Sequence, residues 1–461
     1  MISDQAFIAT NKLSLWHLSW PIAVEMLLQF LMGTVDSMMV SRLGDYEVSA
    51  VGLSNGIITS VMTVFFLVNA GTGIVVSRKW GAGKQQEARK ATYMALKINL
   101  VAGIGISTLL CLSAEPLLKL MKSPPEVLPY ATTYLSIVGA GMLITVLNLT
   151  ISSVIRSTGN TRGTMYVAIG MNLMHLLLNY GLIFGKLGFP QLGLQGAAIS
   201  TVGSKCIALL FCVYILYLTF KPHLHWREWL GFDKPLLKEI MSIGMPSIFI
   251  SMSWGASQIV VISIVSSMGA LPLAAYTYLN LIQQLPFTIG QAFGSAVQIQ
   301  VGQLYGAGRY QAVFRSPYAG SRVGVLGSFG ASLLIWITAK PLLGLFTSDL
   351  DVVHKALPIF MLCLLWQPLR IWTFTLTGAL TAVGEAKFVA VISVLGMWMT
   401  QTGGAFLFGI SCGWGILGVY TAFFVDEVFR AVCATLRWRQ RRMLPPAGGG
   451  LLHKDEIITS L

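Results

Sequence analysis

The sequence repeats itself at a constant offset of 225 residues, and both copies consist of long apolar stretches. The motif Trp80-Gly81-Ala82-Gly83-Lys84 recurs as Tyr305-Gly306-Ala307-Gly308-Arg309. A duplicated set of apolar helices indicates two similar bundles with a path between them, an arrangement typical of transporters. Single residues match at the same offset, which slips to 222 near the end of each copy: Pro21 with Pro246, Gly44 with Gly269, Asn55 with Asn280, Gly159 with Gly384, Gly193 with Gly415, and Gly196 with Gly418.

The apolar stretches are long enough to cross a membrane. Apolar residues make up 55% of the chain and charged residues 11%, whereas soluble domains carry roughly 25% charged residues. A helix of about 20 residues crosses the ~30 Å hydrocarbon core. We predict twelve spans, at approximately 15–41, 49–77, 92–118, 129–155, 163–185, 194–219, 239–268, 274–303, 316–345, 355–381, 387–410 and 414–436.

The number of spans fixes how the two copies are related. Six spans per copy is an even number, so both copies enter the membrane in the same direction and share an axis along the membrane normal. The sequence therefore predicts an all-α membrane protein with twelve transmembrane helices in two six-helix lobes related by pseudo-two-fold symmetry. The predicted parts are a first lobe at 1–220, a cytoplasmic loop at 221–238, a second lobe at 239–442 and a polar tail at 443–461.

Positively charged residues fall unevenly on the two sides of these spans. Of the 31 Lys and Arg residues, 22 fall on the side of the termini and 6 on the opposite side. We therefore expect a multi-pass protein of the cell membrane with both termini in the cytoplasm. Because this asymmetry accounts for the net charge of +13, no nucleic-acid partner is expected. No cleavable signal peptide is expected, since the N-terminus is short and polar and leads directly into the first span.

The residue patterns of enzymes and metal proteins are missing from the sequence. The six cysteines lie in predicted spans without metal-ligand spacing. His223 and His225 form a pair in the central loop, with no further ligand nearby. We find no nucleotide-binding loop, zinc-protease motif or nucleophile elbow. The sequence therefore predicts no catalytic residue, no metal and no cofactor.

The first predicted span carries a polar stripe. Glu25, Gln29, Met32 and Asp36 are spaced 4, 3 and 4 residues apart, so they share one helix face. Asp36 has Val261 as its counterpart in the second copy. An acid inside a membrane span is usually functional, although pairing with a Lys or Arg of another helix would be a structural alternative. For Glu25 the structural alternative is equally good.

Polar residues also share a face of the fifth span. Asn172, His175 and Asn179 are spaced 3 and 4 residues apart, and Thr201 lies in the sixth span. Together with Asp36 these four residues could hold a proton network or a small cation, with Asn179 and Thr201 as the expected partners of Asp36. Ordinary hydrogen bonds between helices are the alternative.

Two further features of the spans suggest how a compound could be moved. Gln29 and Met32, with Met62 and Phe65 of the second span, are predicted to line a substrate cavity, because Met adapts its shape to varied ligands. Pro21 is a predicted hinge of the first span, because it lacks a backbone N–H and makes a bend cheap.

Several motifs resemble the multidrug and toxic compound extrusion family. The resemblance covers the whole chain and implies two six-helix lobes around a central cleft, antiport of cationic amphiphilic drugs, and a drive from inward proton or sodium flow. The motifs are Trp20-Pro21 with Gly33-Thr34-Val35-Asp36 and Ser41-Arg42-Leu43-Gly44, then Gly81-Ala82-Gly83, Arg156-Ser157-Thr158-Gly159-Asn160, Asn179 with Ile183-Phe184-Gly185, and Gly193-Leu194-Gln195-Gly196-Ala197-Ala198.

The acids indicate a branch within that family. NorM-like members carry acids in helices 7 and 10, but this chain has none between Glu239 and Asp349 and carries Arg370 in helix 10. The chain therefore resembles the DinF-like branch, in which the helix 1 aspartate, here Asp36, couples transport to the ion. Asn179 stands where archaeal relatives often have Asp, which weakens a sodium site of several carboxylates and favours protons. Asp426-Glu427 in helix 12 could be another acid site or a structural bridge between the lobes.

Two other classes of protein remain as alternatives. A flippase for lipid-linked precursors, from a related superfamily, would usually have more helices and a cationic cavity, and this chain has few buried cations. A membrane enzyme would need a clustered nucleophile and base or a metal triad. We expect a monomer that binds small organic cations and is surrounded by membrane lipid.

Overall fold

A computed structural model describes residues 14–221, 231–344 and 350–442, and within these ranges the chain is helical without a β-strand. Short helices at Ala114–Leu120 and Ala339–Gly344 follow the third and ninth of twelve long helices in these ranges. The long helices are α1 (Leu15–Val40), α2 (Asp45–Gly81), α3 (Gln85–Leu112), α4 (Leu128–Ala140 and Met142–Ser157), α5 (Thr161–Phe184), α6 (Leu194–Phe220), α7 (Lys234–Ser267), α8 (Ala270–Gly306), α9 (Tyr310–Ile337), α10 (Leu350–Ala382), α11 (Ala386–Ser411) and α12 (Gly415–Arg442).

The helices confirm an all-α membrane protein. Nine of the described helices are long and apolar enough to cross a membrane, and α4, whose two parts meet at 45°, makes ten as a single span. The remaining two long helices are more polar: α8 has six glutamines, and α12 has Asp426, Glu427 and Arg430 near its middle. Several of these side chains bond inside the protein, among them Gln283 and Gln303 of α8 and Asp426 and Glu427 of α12. The exact number of twelve spans stays a prediction.

The sequence repeat is also a structural repeat. Helices α2 and α8 are both 37 residues long and begin directly after Gly44 and Gly269. The turns after them place Gly83 and Gly308 at φ of 73° and 71°, a left-handed conformation that side chains other than glycine rarely adopt. The chain thus forms two lobes, α1–α6 and α7–α12. The lobe boundaries and the direction of the symmetry axis stay predictions, and residues 222–230 and 443–461 lie outside the described residues.

The two lobes meet closely at the end of the molecule that the charge pattern assigns to the cytoplasm. A methyl group on Gly81 would overlap the backbone of Gln303, and one on Gly306 would overlap the backbone of Arg78. Arg78 Nε donates to the carbonyl of Ala382 at 2.8 Å, and Gln303 Nε2 donates to the carbonyl of Ser157 at 2.8 Å. Small residues and the hydrogen bonds of Arg78 and Gln303 therefore close the lobes against each other at this end.

A pocket lies between the lobes on the other side of these contacts. It has a volume of about 440 Å³, and α1 contributes one lining residue while α7 and α8 contribute the rest. Most of the lining is apolar or aromatic, with a few neutral polar groups, which is the usual composition of a small-molecule site. The lining residues are Phe30, Ile262, Leu273, Tyr276, Thr277, Asn280, Leu281 and Gln284.

Candidate ion-coupling site

Asp36 lies near the end of α1, at a hydrogen-bonded contact of three helices. Asn179 of α5 donates its Nδ2 to Asp36 Oδ1 at 2.6 Å. The Ser200 hydroxyl of α6 donates to Asn179 Oδ1, which fixes the direction in which the amide points. The Asp36 side chain is 34% exposed, whereas Asn179 and Ser200 are buried. The Asp36 carboxylate is therefore partly accessible, and a buried neutral donor, the Asn179 amide, bonds to it.

His175 and Thr201 lie beside this chain of hydrogen bonds. The Nε2 atom of His175 is 3.7 Å from Asp36 Oδ1 and 3.4 Å from Thr201 Oγ1. Thr201 also donates to the carbonyl of Ala197 at 2.9 Å, and Tyr134 of α4 interacts with its hydroxyl. Among the described residues Thr201 thus has partners other than Asp36, and its bond to a protonated Asp36 stays a prediction. Ser200, one residue earlier on α6, closes the chain through Asn179, because a one-residue step turns a side chain by about 100° around the helix.

Lys205 brings a positive charge to the same cluster. It lies one turn beyond Thr201 on α6, is half-buried, and interacts electrostatically with Asp36 and His175. Its backbone carbonyl accepts from Asn148 Nδ2 at 3.5 Å. The sequence contained a signal for this residue, since Lys205 is a charge inside a predicted span and four residues after Thr201. The contribution of Tyr134, an aromatic residue in an apolar span, had no such signal.

Asn172 does not join the cluster. Its Nδ2 donates to the carbonyl of Ala168 on its own helix at 2.7 Å, and its Oδ1 has no hydrogen-bond partner among the described residues. It lies seven residues before Asn179, about two helical turns nearer the start of α5. No direct contact between Asn172 and Asp36 therefore supports the prediction that Asn172 contributes to the coupling site, and this stays a prediction.

Glu25, the other acid of the α1 stripe, is a structural residue. Arg156 of α4 donates to Glu25 Oε1 at 2.5 Å, and the Glu25 side chain is almost fully buried. A buried ion pair of this kind is costly to break, because either partner alone would be an uncompensated charge. The pair ties α1 to α4 at the end of the molecule where the lobes meet.

The four residues predicted to line a substrate cavity separate into two groups. Gln29 is exposed and Met32 is half-buried on α1. Phe65 is only 1% exposed and packs with Leu110, Met142 and Val146 in the core of lobe 1, where Met62 also packs. The structure thus places Met62 and Phe65 in a core formed by α2, α3 and α4, because that face of α2 is directed into its own lobe.

The residues that line the pocket between the lobes were not among those predicted. Tyr276, Asn280 and Gln284 face it from α8 and are spaced four residues apart. This spacing was a usable signal, since three polar or aromatic residues on one face of a span point to a protein-facing or water-facing surface.

Pro21 is buried within a continuous helix. A proline at this position leaves the carbonyl of His17 without its usual helical donor. The hydroxyl of Thr161, at the start of α5, donates to that carbonyl at 3.2 Å instead. The Thr161 hydroxyl of α5 therefore replaces the missing N–H donor. The role of Pro21 as a hinge stays a prediction.

Lobe 2 has its own buried charges, at other positions. The counterpart of Asp36, Val261, is fully buried in an apolar cluster. Asp426 and Glu427 are both 1% exposed and accept from Arg430 at 2.6 Å and 3.0 Å, while Thr400 donates to Asp426 Oδ1 at 2.8 Å. These bonds all lie within lobe 2, so the two acids do not bridge the lobes.

The described residues offer no group of three His, Cys, Asp or Glu side chains that could hold a metal ion. Asp36 is the single acid of its cluster, and its neighbours are an amide, hydroxyls, an imidazole and an ammonium group. Such a cluster can exchange a proton or balance one positive charge, because one carboxylate supplies all of its negative charge.

Comparison with known proteins identifies the family. The profile of the MatE family matches residues 21–181 and again residues 246–407, the two copies of the repeat. An uncharacterized transporter, YisQ of Bacillus subtilis, is 32% identical over 434 residues, which is 94% of this chain and 95% of YisQ. A probable multidrug resistance protein, NorM of Thermotoga maritima, is 25% identical over 440 residues, covering 93% of each chain.

Solved structures show the same fold. An outward-facing multidrug resistance MATE family transporter of the MOP superfamily superposes with a TM-score of 0.82 at 20% identity, over 93% of this chain and 95% of that one. A MOP superfamily transporter from Pyrococcus furiosus gives the same TM-score, identity and coverage. This chain belongs to the MatE family, and it is accordingly a membrane transporter of the multidrug and toxic compound extrusion type and not an enzyme.

Proposed function

We propose that this protein is a secondary active antiporter that exports cationic amphiphilic compounds in exchange for protons. The observation that carries the proposal is Asp36, a partly exposed acid whose direct contacts are with neutral groups. Named relatives are described as multidrug resistance proteins, which supports drug efflux as the transported class. The lipid-flippase alternative has no such support among these relatives.

Protons suit the site better than sodium. Asn179 directs its amide donor at Asp36, and Ser200 holds the amide in that orientation. A donor stabilises a carboxylate but repels a metal cation, which prefers several oxygen ligands. A single acid among donors therefore favours exchange of a proton over capture of a hard cation.

Competition at Asp36 would couple the two movements. Protonation removes the negative charge of the side chain, whereas the ionised form can balance a bound organic cation. Each ligand then stabilises a different form of Asp36, and alternating access follows if the two forms prefer different arrangements of the lobes. The closed contacts at one end of the molecule and the pocket on their other side are consistent with one such arrangement.

Several expectations from the sequence belong to the same proposal. Both termini would be cytoplasmic in the cell membrane, which places the closed end of the cleft inside the cell. The transporter would act as a monomer, as a member of the DinF-like branch, and without a cofactor. Organic cations would be its ligands and membrane lipid its surroundings.

A counter-ion experiment in proteoliposomes tests the proposal. Purified protein would be reconstituted in sodium-free buffer with a fluorescent organic cation, and either a proton gradient or a sodium gradient would be imposed. We expect dye movement with the proton gradient alone and none with sodium at equal pH. An absolute requirement for sodium would refute proton coupling, and an absence of dye movement under both gradients would refute cation antiport.

The same experiment would be repeated with Asp36→Asn, which removes the acid, and with Glu115→Gln as the matched control. Glu115 is an exposed acid that pairs with Lys119 on its own short helix. Its removal is expected to leave transport unchanged, so a loss seen in Asp36→Asn but absent in Glu115→Gln would be specific to the site.

A further inference from the structure

Arg370 of α10 is a cation held in place by aromatic rings inside lobe 2. Its guanidinium carbon lies 4.1 Å from the ring centre of Phe287, 5.1 Å from that of Trp366 and 5.8 Å from that of Phe374. Trp366, Arg370 and Phe374 are spaced four residues apart and share one face of α10. Stacking of this kind holds the planar guanidinium in one orientation and stabilises its charge away from water.

The hydrogen-bonding capacity of Arg370 is nevertheless unused. A guanidinium carries five N–H donors, yet no hydrogen bond among the described residues starts from Arg370. Its nearest acidic oxygen, Glu427 Oε2, is 4.0 Å from Nε, beyond hydrogen-bonding distance, and is already bonded to Arg430 at 3.0 Å. The Arg370 side chain is 19% exposed, and the three rings hold its guanidinium donors in one direction.

The face of α8 that lines the pocket between the lobes also carries the ring nearest to Arg370. Thr277, Asn280 and Gln284 of α8 line the pocket, and Phe287 continues the same helix face at spacings of 3, 4 and 3. Phe287 is the ring closest to Arg370. The lining face of α8 therefore continues from the pocket down to the guanidinium.

A second row of rings connects the same two places. Tyr276, which lines the pocket, lies 6.1 Å from Tyr420, and Tyr420 lies 5.8 Å from Trp366, both measured between ring centres. Trp366 in turn contacts Arg370. Two rows of side-chain contacts thus connect the pocket lining with the rings that surround the guanidinium.

We propose that Arg370 binds the oxyanion of an amphiphilic ligand that enters this pocket. This inference rests on the proposed function and narrows its substrate class, since a transported cation with a carboxylate would meet Asp36 in one lobe and Arg370 in the other. The guanidinium fork matches a planar carboxylate through two parallel charge-assisted hydrogen bonds. The phosphate of an anionic lipid has the same chemistry, and the experiment separates the two sources.

The competing explanation is that Arg370 only balances the charge of Glu427. The two explanations differ in a double variant, Arg370→Gln with Glu427→Gln, which removes one positive and one negative charge and leaves the net charge of lobe 2 unchanged. If Arg370 were a counter-ion alone, this variant would bind ligands as the wild type does. If it is a receptor, the variant folds but loses its contact with the oxyanion.

The probes are rhodamine B, which has a free carboxylate, and its ethyl ester, which lacks that charge on the same ring system. The affinity of each dye would be measured by fluorescence polarisation with the purified full-length protein, after a thermal melt has shown that each variant is folded. The measured quantity is the Kd of the ester divided by the Kd of the acid, so effects on general dye binding cancel.

We expect this ratio to fall about tenfold in the double variant, the scale of a charge-assisted hydrogen-bonded contact. Arg370→Lys, which keeps the charge and loses the fork, is expected to lower the ratio as well. Arg322→Gln, at an exposed position of α9, is the control and should leave it unchanged. A fall of less than threefold in the double variant would overturn the proposal.

Phosphatidylglycerol micelles distinguish the source of the oxyanion. Displacement of rhodamine B by this lipid from the wild type, but not from the double variant, would assign the site to a lipid phosphate. A carboxylate preference without displacement would assign it to the carboxylate of a transported compound. Absence of both effects in the wild type would show that Arg370 is no oxyanion receptor, whatever the result of the transport experiment.

Discussion

The two lobes have the same helical framework but different chemistry at equivalent positions. In lobe 1, Asp36, Asn179 and Ser200 form a chain of hydrogen bonds across α1, α5 and α6. In lobe 2, Val261 of α7 and Ala422 of α12 stand at the repeat positions of Asp36 and Ser200, and Gly404 of α11 lies 225 residues after Asn179. A methyl group on Gly404 would lie 3.0 Å from the Ala422 side chain, so these two helices also meet there. The helical framework is shared, and in lobe 2 small or apolar residues stand where lobe 1 has its polar contact.

The buried charged residues of lobe 2 lie at other positions, where they form ion pairs with each other. Asp426 and Glu427 share Arg430, and both are buried. Among the described residues, no Lys or Arg lies within ion-pair distance of Asp36, and Lys205 acts on it from farther away. Exchanging a proton at a buried ion pair means breaking that pair, whereas Asp36 can change its charge with smaller rearrangement. The comparison therefore leads us to expect one coupling site per chain, in lobe 1.

The largest effect is expected from Asp36→Asn. Asn keeps the volume of the side chain and can still bond Asn179, but it cannot exchange a proton or balance a cation. We expect transport in proteoliposomes to fall to the level of empty liposomes, with a melting temperature close to that of the wild type. Normal export by a well-folded Asp36→Asn protein would end the distinction between the lobes.

Arg430→Met should instead damage the structure of lobe 2. The substitution leaves Asp426 and Glu427 without their common partner, and breaking a buried pair in this way typically costs about 3–5 kcal/mol. We expect a clearly lowered melting temperature, which would be followed by circular dichroism. The exposed Arg315 of α9 provides the control, and equal stability of Arg315→Met and Arg430→Met would show that the lobe 2 cluster is not a structural unit.

Lys205→Met would sharpen the comparison from the side of lobe 1. The Lys205 charge competes with a bound organic cation for Asp36, so its removal should tighten binding of the cation. The effect is expected to be roughly three- to tenfold, the size of a charge interaction across several ångströms in a partly solvated site. The dye Kd would be determined with purified protein at a pH where Asp36 is ionised. Weaker binding in Lys205→Met would mean that Lys205 organises the site and does not compete.

Ser200→Ala should have the smallest effect. It removes the donor that fixes the Asn179 amide, and a hydrogen bond of this kind contributes about 1 kcal/mol. We expect transport to persist at a reduced rate, because Asn179 can still reach Asp36 in one of its orientations. Initial rates of dye movement provide the measurement, and a complete loss of transport would show that Ser200 contacts the transported ion itself.

The fold class could be predicted because its signals can be read directly from the order of the residues. Apolar runs of membrane length and a constant 225-residue offset are visible without any three-dimensional information. The limits of this reasoning appear at α8 and α12, whose polar residues bond inside the protein and make the helices less apolar than a typical span. Sequence alone cannot separate a polar residue that faces a partner from one that faces water.

The site could be predicted only in part. Asp36 and Asn179 were recognised because an acid or an amide inside a span needs a partner. The choice between Ser200 and Thr201 depends on the rotation of α6 against α5, which the close approach of Gly196 to the Leu182 backbone sets. The direction of the Phe65 side chain likewise depends on which face of α2 packs against α3 and α4. Such rotations are properties of the packed bundle.

The most direct test of the central claim is proton release on drug binding. Purified protein in weakly buffered, sodium-free solution would be mixed with an organic cation, and the pH change would be recorded with an indicator dye. We predict release of protons by the wild type and by Glu115→Gln, and none by Asp36→Asn. Unchanged release in Asp36→Asn would contradict the account, because the exchanged proton would then reside on another group.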